Sequence, residues 1–438
     1  MSGVLGVCFD KNCLEELRRG SSVLQHRGDE WAGISVLKGD KIETVSEKGK
    51  ITTLFKNKME EVQTAITCLS QRDPQPVILQ ETGIGPLSLV FDGKIINRAE
   101  IFEKFPYLLG TDAEILIRLI GQGKDILDGL KKVYQVIKGP FSLILLSLEG
   151  IFAARDILGI RPLILGRFFE AGTVGCAVAS ESIPLEHTGL KIIRDVKPGE
   201  IVKIETTGFR SLEQIPSPGL VICSFEYAYW ARPSSIIESI PVGLSRYNAG
   251  INLISNCPNV DLIAGIPMSG NTVAEGFHFA SKIPYRSIFD LNIEAGGRSF
   301  IPLSPLQRAK RARDKLLIMD WAVKDARVLM LDDSIVEGNQ TLSRIFLIKK
   351  AGAKEVHLGI ATPKMKYPCP FDATSRGKLI ASNHSEEEIR KKLGLESLNF
   401  NSIEGFEDAI ISAQSEQKNP IKHENLCLGC FNGIFPKY

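Results

Sequence analysis

The stretch ARVLMLDDSIVEGNQTLSRIFLIKKAGA carries an apolar run, Val328 to Leu331, into two adjacent carboxylates, Asp332 and Asp333. Gly338 then allows a tight loop into a helix expected to begin near Thr341. In an open α/β sheet, ligands bind at the carboxyl edge of the strands. Two carboxylates there accept hydrogen bonds from neighbouring sugar hydroxyls, while loop N–H groups and the helix N-terminus hold a phosphate. The same pattern also describes an ordinary turn with a capped helix. A second group is Cys427 and Cys430, a Cys-x-x-Cys pair in a polar tail with little core of its own. That spacing seats two thiolates on one metal centre and is shared by zinc sites, redox pairs and clusters.

These residues have to be positioned by a large chain. Its 438 residues are roughly three times a typical domain of ~150, which predicts two large units or three small ones. With 44% hydrophobic and 24% charged residues, the composition is that of a globular protein and excludes a disordered polymer. A net charge of +2 gives no overall field toward nucleic acid or an anionic membrane, so neither is expected as a partner. No apolar run approaches the ~18 residues of a membrane span, and Asp10 and Lys11 interrupt the N-terminus too early for a secretory core. A cytoplasmic location is expected, where nine scattered cysteines argue against a disulfide framework.

Up to about residue 220, short β-rich runs such as VLGVCF, PLSLVFDG, FSLILLSL and EIVKIET alternate with Gly, Asp and Pro turns. LEELRRGSSVLQ and AEILIRLIGQGKDILDGLKKVYQVI have the spacing of amphipathic helices lying on a sheet. Pro216 and Pro218 mark a joint. Beyond it, DLIAGIP, RVLMLDD and EVHLGIAT are compact apolar strands separated by helices, the pattern of βαβ crossovers and a parallel sheet covered on both faces.

The apolar-apolar-Asp-Asp-Ser-Ile-Val-x-Gly motif resembles the signature of type I phosphoribosyltransferases, which bind phosphoribosyl pyrophosphate. LQHRGDEWAGI resembles a segment of class II glutamine amidotransferases. RDILGIRPL, VASESIPLEHTG, RDVKPGEIVKI, FEYAYWARPSS and AGAKEVHLGIATP follow in the order seen in the glutamine phosphoribosylpyrophosphate amidotransferase family. The resemblance covers nearly the whole chain. It implies an α/β and α+β protein: an N-terminal-nucleophile αββα sandwich over 1–220, a type I phosphoribosyltransferase α/β domain over 221–395, and a tail over 396–438. It also implies two reactions, release of ammonia from glutamine and displacement of pyrophosphate to give phosphoribosylamine for purine synthesis.

Carried over residue by residue, the family's nucleophile, an N-terminal cysteine, falls on Ser2, a hydroxyl far less acidic than a thiol. The family's oxyanion-hole Asn-Gly falls on Asp92-Gly93, which places a carboxylate where a donor belongs. Arg27, Gly28 and Asp112 match the glutamine-binding pattern, but no arginine stands in the family's Arg-Tyr-Ser-Thr place and Arg72 is only nearby.

In the transferase, Asp332, Asp333, Ser334, Gly338 and Thr341 match, while Glu337, Asn339 and Gln340 alter the phosphate loop. Lys315 matches, and Arg298 is the cation left in the flexible loop. Pro267-Met268-Ser269-Gly270 lacks an acidic group of the family segment. Magnesium is implied wherever phosphoribosyl pyrophosphate binds.

Cys223, Cys369, Cys427 and Cys430 match the ligands of a [4Fe–4S] cluster that some members carry, with a structural zinc as the alternative. The resulting expectation is a degenerate relative without glutaminase activity, acting as a structural or regulatory partner. It would form homo-oligomers, or hetero-oligomers with an intact amidophosphoribosyltransferase, and bind phosphoribosyl pyrophosphate or purine nucleotides. An ammonia-dependent phosphoribosyltransferase and a purine nucleotide sensor are the alternatives.

Overall fold

The computed structural model describes residues 1–55, 61–170, 172–292, 316–372, 379–415 and 420–438. Two sheets stack in the N-terminal half. The seven-stranded one runs, edge to edge, Lys191–Asp195, Ile164–Glu170, Thr173–Ala179, Ser2–Phe9, Thr64–Ser70, Trp31–Lys38 and Lys41–Lys48. The six-stranded one runs Gly208–Gln214, Glu200–Glu205, Gly150–Arg155, Phe141–Ser147, Leu87–Gly93 and Val77–Leu79.

Alternation along each strand divides the side chains between layers. In Ser2–Phe9, Val4 and Cys8 enter the core between the sheets with Val90, Ile144 and Val178, while Leu5, Val7 and Phe9 pack outward with Leu17 of the helix Leu14–Val23. In Leu87–Gly93, Val90 faces inward, whereas Leu87, Leu89 and Phe91 meet the helices Asp112–Ile120 and Ile126–Val136. This is the expected αββα sandwich. The long amphipathic stretch is two helices and not one, broken at Gly121-Gln122-Gly123. There the turn lies so close that a Cβ on Gly129 would stand 2.2 Å from the Ile120 carbonyl oxygen.

The second half holds a four-stranded parallel sheet in the order Leu262–Gly265, Arg327–Asp332, Glu355–Ile360 and Ser397–Phe400. Apolar clusters cover both faces, as the uninterrupted apolar strands predict. The sheet crosses the boundary drawn at residue 395, and the helix Ile403–Ile411 packs against Val242–Asn252. The tail proper is pinned by backbone: Leu426–Cys427 pairs in parallel with Ile222–Cys223 at the joint between the halves. No helix among the described residues is long and apolar enough to cross a membrane.

Candidate functional site

Ser2 opens its strand on the same face as Val4, and Asp92 lies on the face of its own strand that carries Val90, so both point between the sheets. The Ser2 backbone N–H donates to Asp92 Oδ1 at 2.7 Å. Both residues are buried, at 6% and 1% exposure. Gly93 and Gly28 are required by close approach: a Cβ would stand 2.2 Å from the Pro140 carbonyl oxygen in the first case and 2.4 Å from the Leu69 carbonyl in the second.

Asp92, the carboxylate that falls where the family has an oxyanion donor, is met by a buried cation. Arg27, fully buried, reaches Asp92 Oδ2 at 3.4 Å, Glu181 at 2.8 Å and Glu226 at 2.9 Å. Arg161 adds a second cation on Glu226 at 3.4 Å. Burial alone raises the Glu181 carboxyl, but Arg27, His26 and the Ser235 hydroxyl outweigh it and hold the group well below the usual carboxylate range. His26, whose ring is bonded to the Val23 carbonyl and to Glu181, belongs to this network.

Arg27 is thus held by carboxylates of the protein. Asp112 is engaged as well, accepting from Lys94, from the Ile95 backbone and from Arg98. Arg72 follows the end of the strand that pairs with Ser2 and lies on an exposed loop.

In the parallel sheet, Asp332 ends its strand, Asp333 and Ser334 follow it, and Gly338 takes a left-handed φ of 82° as the cap of the twelve-residue helix Asn339–Lys350. The helix starts two residues earlier than the sequence suggests, so Asn339 and Gln340 form its first turn, and Thr341 is buried beneath it. Glu337 is exposed, and its carboxylate accepts from the Asn339 side-chain amide at 3.1 Å, within the loop itself.

Asp332 Oδ1 accepts from the Ser269 hydroxyl at 2.6 Å and from the Asp333 N–H at 3.0 Å, and Oδ2 accepts from Arg344 at 2.6 Å. Asp333 is buried and bonded to the Ser334 hydroxyl; burial, with the adjacent Asp332, pushes its carboxyl up to about 8. Arg298 and Lys315 lie outside the described residues.

None of the nine cysteines is in a disulfide. Strand pairing sets Cys223 opposite Cys427. Cys223, Cys369 and Cys427 line one small apolar cluster with Leu158, Ile160 and Phe371, and Cys430 follows one turn on. Among the described residues, no three His, Cys, Asp or Glu side chains stand at metal-ligating geometry, so the expected four-thiolate set is not present as a metal site. Beside it, Ile160 accepts the Cys223 N–H at 3.2 Å, and the next residue, Arg161, has a buried Nε with no hydrogen-bond partner among the described residues. Cys8, Cys13, Cys68 and Cys176 are buried, and Cys257 is exposed.

Sequence reasoning assigned no role to Glu181, Glu226, Arg161 or Arg344. The first three lie in VASESIPLEHTG, FEYAYWARPSS and RDILGIRPL, so the family-like segments were already the available signal. Nothing local marked Arg344, which is one of several cations on its helix.

A nucleophile-type sandwich with Ser2 at its inner edge, followed by a phosphoribosyltransferase sheet with Asp332 and Asp333 at its carboxyl edge, defines the class of two-domain glutamine amidotransferases. Residues 61–186 match the glutamine amidotransferase domain family. The chain is 31% identical to the amidophosphoribosyltransferase of Bacillus subtilis (strain 168), covering 99% of this chain and 94% of that protein. It is 32% identical to the amidophosphoribosyltransferase of Methanothermobacter thermautotrophicus, covering 94% and 89%. Among solved structures, the glutamine phosphoribosylpyrophosphate amidotransferase from B. subtilis complexed with ADP and GMP superposes with a TM-score of 0.89 at 30% identity, covering 100% of this chain and 97% of that one. The chain belongs to the amidophosphoribosyltransferase family.

Proposed function

We propose that this chain serves purine nucleotide biosynthesis in the cytoplasm as an amidophosphoribosyltransferase relative that no longer hydrolyses glutamine, and that it acts as a structural or regulatory partner of an intact relative in a homo- or hetero-oligomer. The observation that carries this reading is the 2.7 Å bond from the Ser2 N–H to Asp92. Amide hydrolysis at this place needs a nucleophile on residue 2, a free amine as its base and donors for the developing oxyanion. Here residue 2 offers a weak hydroxyl, and its nitrogen faces a carboxylate acceptor. The group that stands where a donor is needed is negative and fixed by Arg27. Incubation of the purified protein with glutamine, with glutamate release measured and the N-terminal residue identified by mass, tests it. Turnover that depends on Ser2 overturns the reading.

A second reading, an ammonia-dependent phosphoribosyltransferase, is favoured by one feature: Gly338 and the helix behind it present backbone donors at the strand edge, next to Asp332 and Asp333. Phosphoribosyl pyrophosphate would bring magnesium with it. Calorimetry with both ligands, followed by pyrophosphate release on adding ammonia, separates the two readings. Binding of purine monophosphates without turnover supports a sensor.

We also propose that Cys223, Cys369, Cys427 and Cys430 hold a [4Fe–4S] cluster, with structural zinc as the alternative. Three separate segments supply the donors. The unpartnered Nε of Arg161 gives the site a buried hydrogen-bond donor of the kind that cluster or thiolate sulfur accepts. Such a cluster supplies a covalent staple between the joint, the transferase domain and the tail. Iron and acid-labile sulfide on anaerobically purified protein test it, and stoichiometric zinc without sulfide rejects it.

A further inference from the structure

We propose that Arg344 is a specificity-determining residue of the Asp332–Asp333 site: its guanidinium holds the carboxylate oxygen that a ribose hydroxyl would use, so a sugar has to displace an internal competitor in order to bind. The inference rests on the phosphoribosyl reading of this site and goes beyond it by naming what controls admission.

The argument is an accounting of acceptors. A carboxylate recognises a sugar by accepting its O–H groups, so each oxygen already engaged is capacity removed. On Asp332, Oδ1 accepts from Ser269 at 2.6 Å and from the Asp333 N–H at 3.0 Å, and Oδ2 is held by Arg344 at 2.6 Å. The neighbouring Asp333 has one oxygen on the Ser334 hydroxyl. A neutral hydroxyl that replaces a guanidinium exchanges a charge-assisted bond for a weaker one.

The pair is also well sheltered, with the Asp332 side chain 3% and the Arg344 side chain 18% exposed, so water screens it little. Arg344 reaches Asp332 because a helical side chain leans back toward the helix N-terminus. Its other nitrogen stands 3.4 Å from Gln340 in the first turn, so the guanidinium lies between the sugar carboxylate and the phosphate loop.

Ribose 5-phosphate, titrated calorimetrically into the full-length protein, is the probe. Arg344→Leu, of similar bulk without the charge, is expected to tighten binding about tenfold or more, the worth of one hydrogen bond to a charged group. Arg344→Lys keeps the cation and is expected to bind close to wild type. A damaged site loosens its ligand, so tightening reports removal of a competitor. If Arg344→Leu does not fold by circular dichroism, Arg344→Gln takes its place. Binding that is unchanged or weaker in the uncharged variant overturns the proposal, the weaker result making Arg344 a phosphate-binding cation. If no form binds ribose 5-phosphate, and none binds phosphoribosyl pyrophosphate with magnesium, the phosphoribosyl reading itself fails and the proposal falls with it.

Discussion

At the Ser2 end of the molecule, one fully buried guanidinium is enclosed by Asp92, Glu181 and Glu226, and each of those carboxylates is itself bonded elsewhere. At the Asp332 end, a carboxylate of similar burial meets an arginine from the rim of a helix, beside a loop whose glycine is buried and whose neighbours Glu337 and Asn339 are exposed. In the first arrangement each carboxylate is met by a cation from within the fold. The second is only latched, by one side chain that can move aside. The same chemistry of carboxylates and arginines therefore builds a multi-residue ion cluster in one domain and a single arginine–carboxylate pair at the sheet edge in the other.

The sharpest way to test that contrast is to remove the central cation. Arg27→Met leaves three buried carboxylates sharing only Arg161 and His26, and is expected to cost about 3–5 kcal/mol of stability, the usual price of stranding buried charge. Urea unfolding measures it. Arg344→Met, at the latched site, should cost far less. Equal losses at the two places would erase the distinction.

Chemistry offers the next test. If the cage at Ser2 silences glutamine hydrolysis, the double variant Ser2→Cys, Asp92→Asn restores both a thiol and an oxyanion donor. One such donor is worth about 10²- to 10³-fold in rate. Glutamate release in the double variant is expected to exceed that of Ser2→Cys alone by about that factor. An Asp92→Asn change without effect would mean that the carboxylate is not what blocks the site.

The two regions also differ in how far their residues disclose them. The sandwich and the parallel sheet are legible because strand alternation and uninterrupted apolar runs are local patterns: Val4 and Leu5, or Val328 to Leu331, announce their faces unaided. The aspartates at 332 and 333 are legible for a related reason, since strand, carboxylates, glycine and helix are contiguous. The cage around Arg27 is not. Glu181 lies 154 residues away and Glu226 199 residues away, and only the stacking of two sheets against the domain joint brings them together. Read alone, Asp92 is an unmet charge beside a nucleophile; folded, it is one corner of an ion cluster. Arg344 was hidden differently, because its partner is close in sequence but the direction of the side chain selects it from its neighbours.

An effect of another kind, in stability against pH, distinguishes the sites through Asp333. Burial, with Asp332 beside it, pushes this carboxyl up to about 8. The unfolded chain releases the same proton near about 3.9. Between those values the native state binds more protons than the unfolded one, so this group's contribution, full below about pH 4, is lost as pH rises through about 8. Asp333→Asn removes the titration. Its stability curve is expected to be flatter than wild type over that window, with the variant gaining relative stability toward the alkaline side. Urea midpoints across the window measure it. An identical slope would mean that Asp333 is already charged, and the latched site would then hold two negative charges and not one.

The smallest expected effect lies in the glycine that shapes the phosphate loop. Gly338 sits at φ 82°, and a Cβ there would come within 3.2 Å of Ile380 Cδ1, a tight contact with the end of a side chain that can shift. Backbone strain therefore outweighs the clash in Gly338→Ala, and the left-handed conformation costs a non-glycine residue about 1–2 kcal/mol. Global stability should therefore fall by about 1–2 kcal/mol, while ribose 5-phosphate affinity falls by about tenfold as the loop donors lose their alignment. A loss in stability with no loss in affinity would show that the loop does not hold the phosphate. The Asp332 edge would then be as closed to ligands as the cage around Arg27.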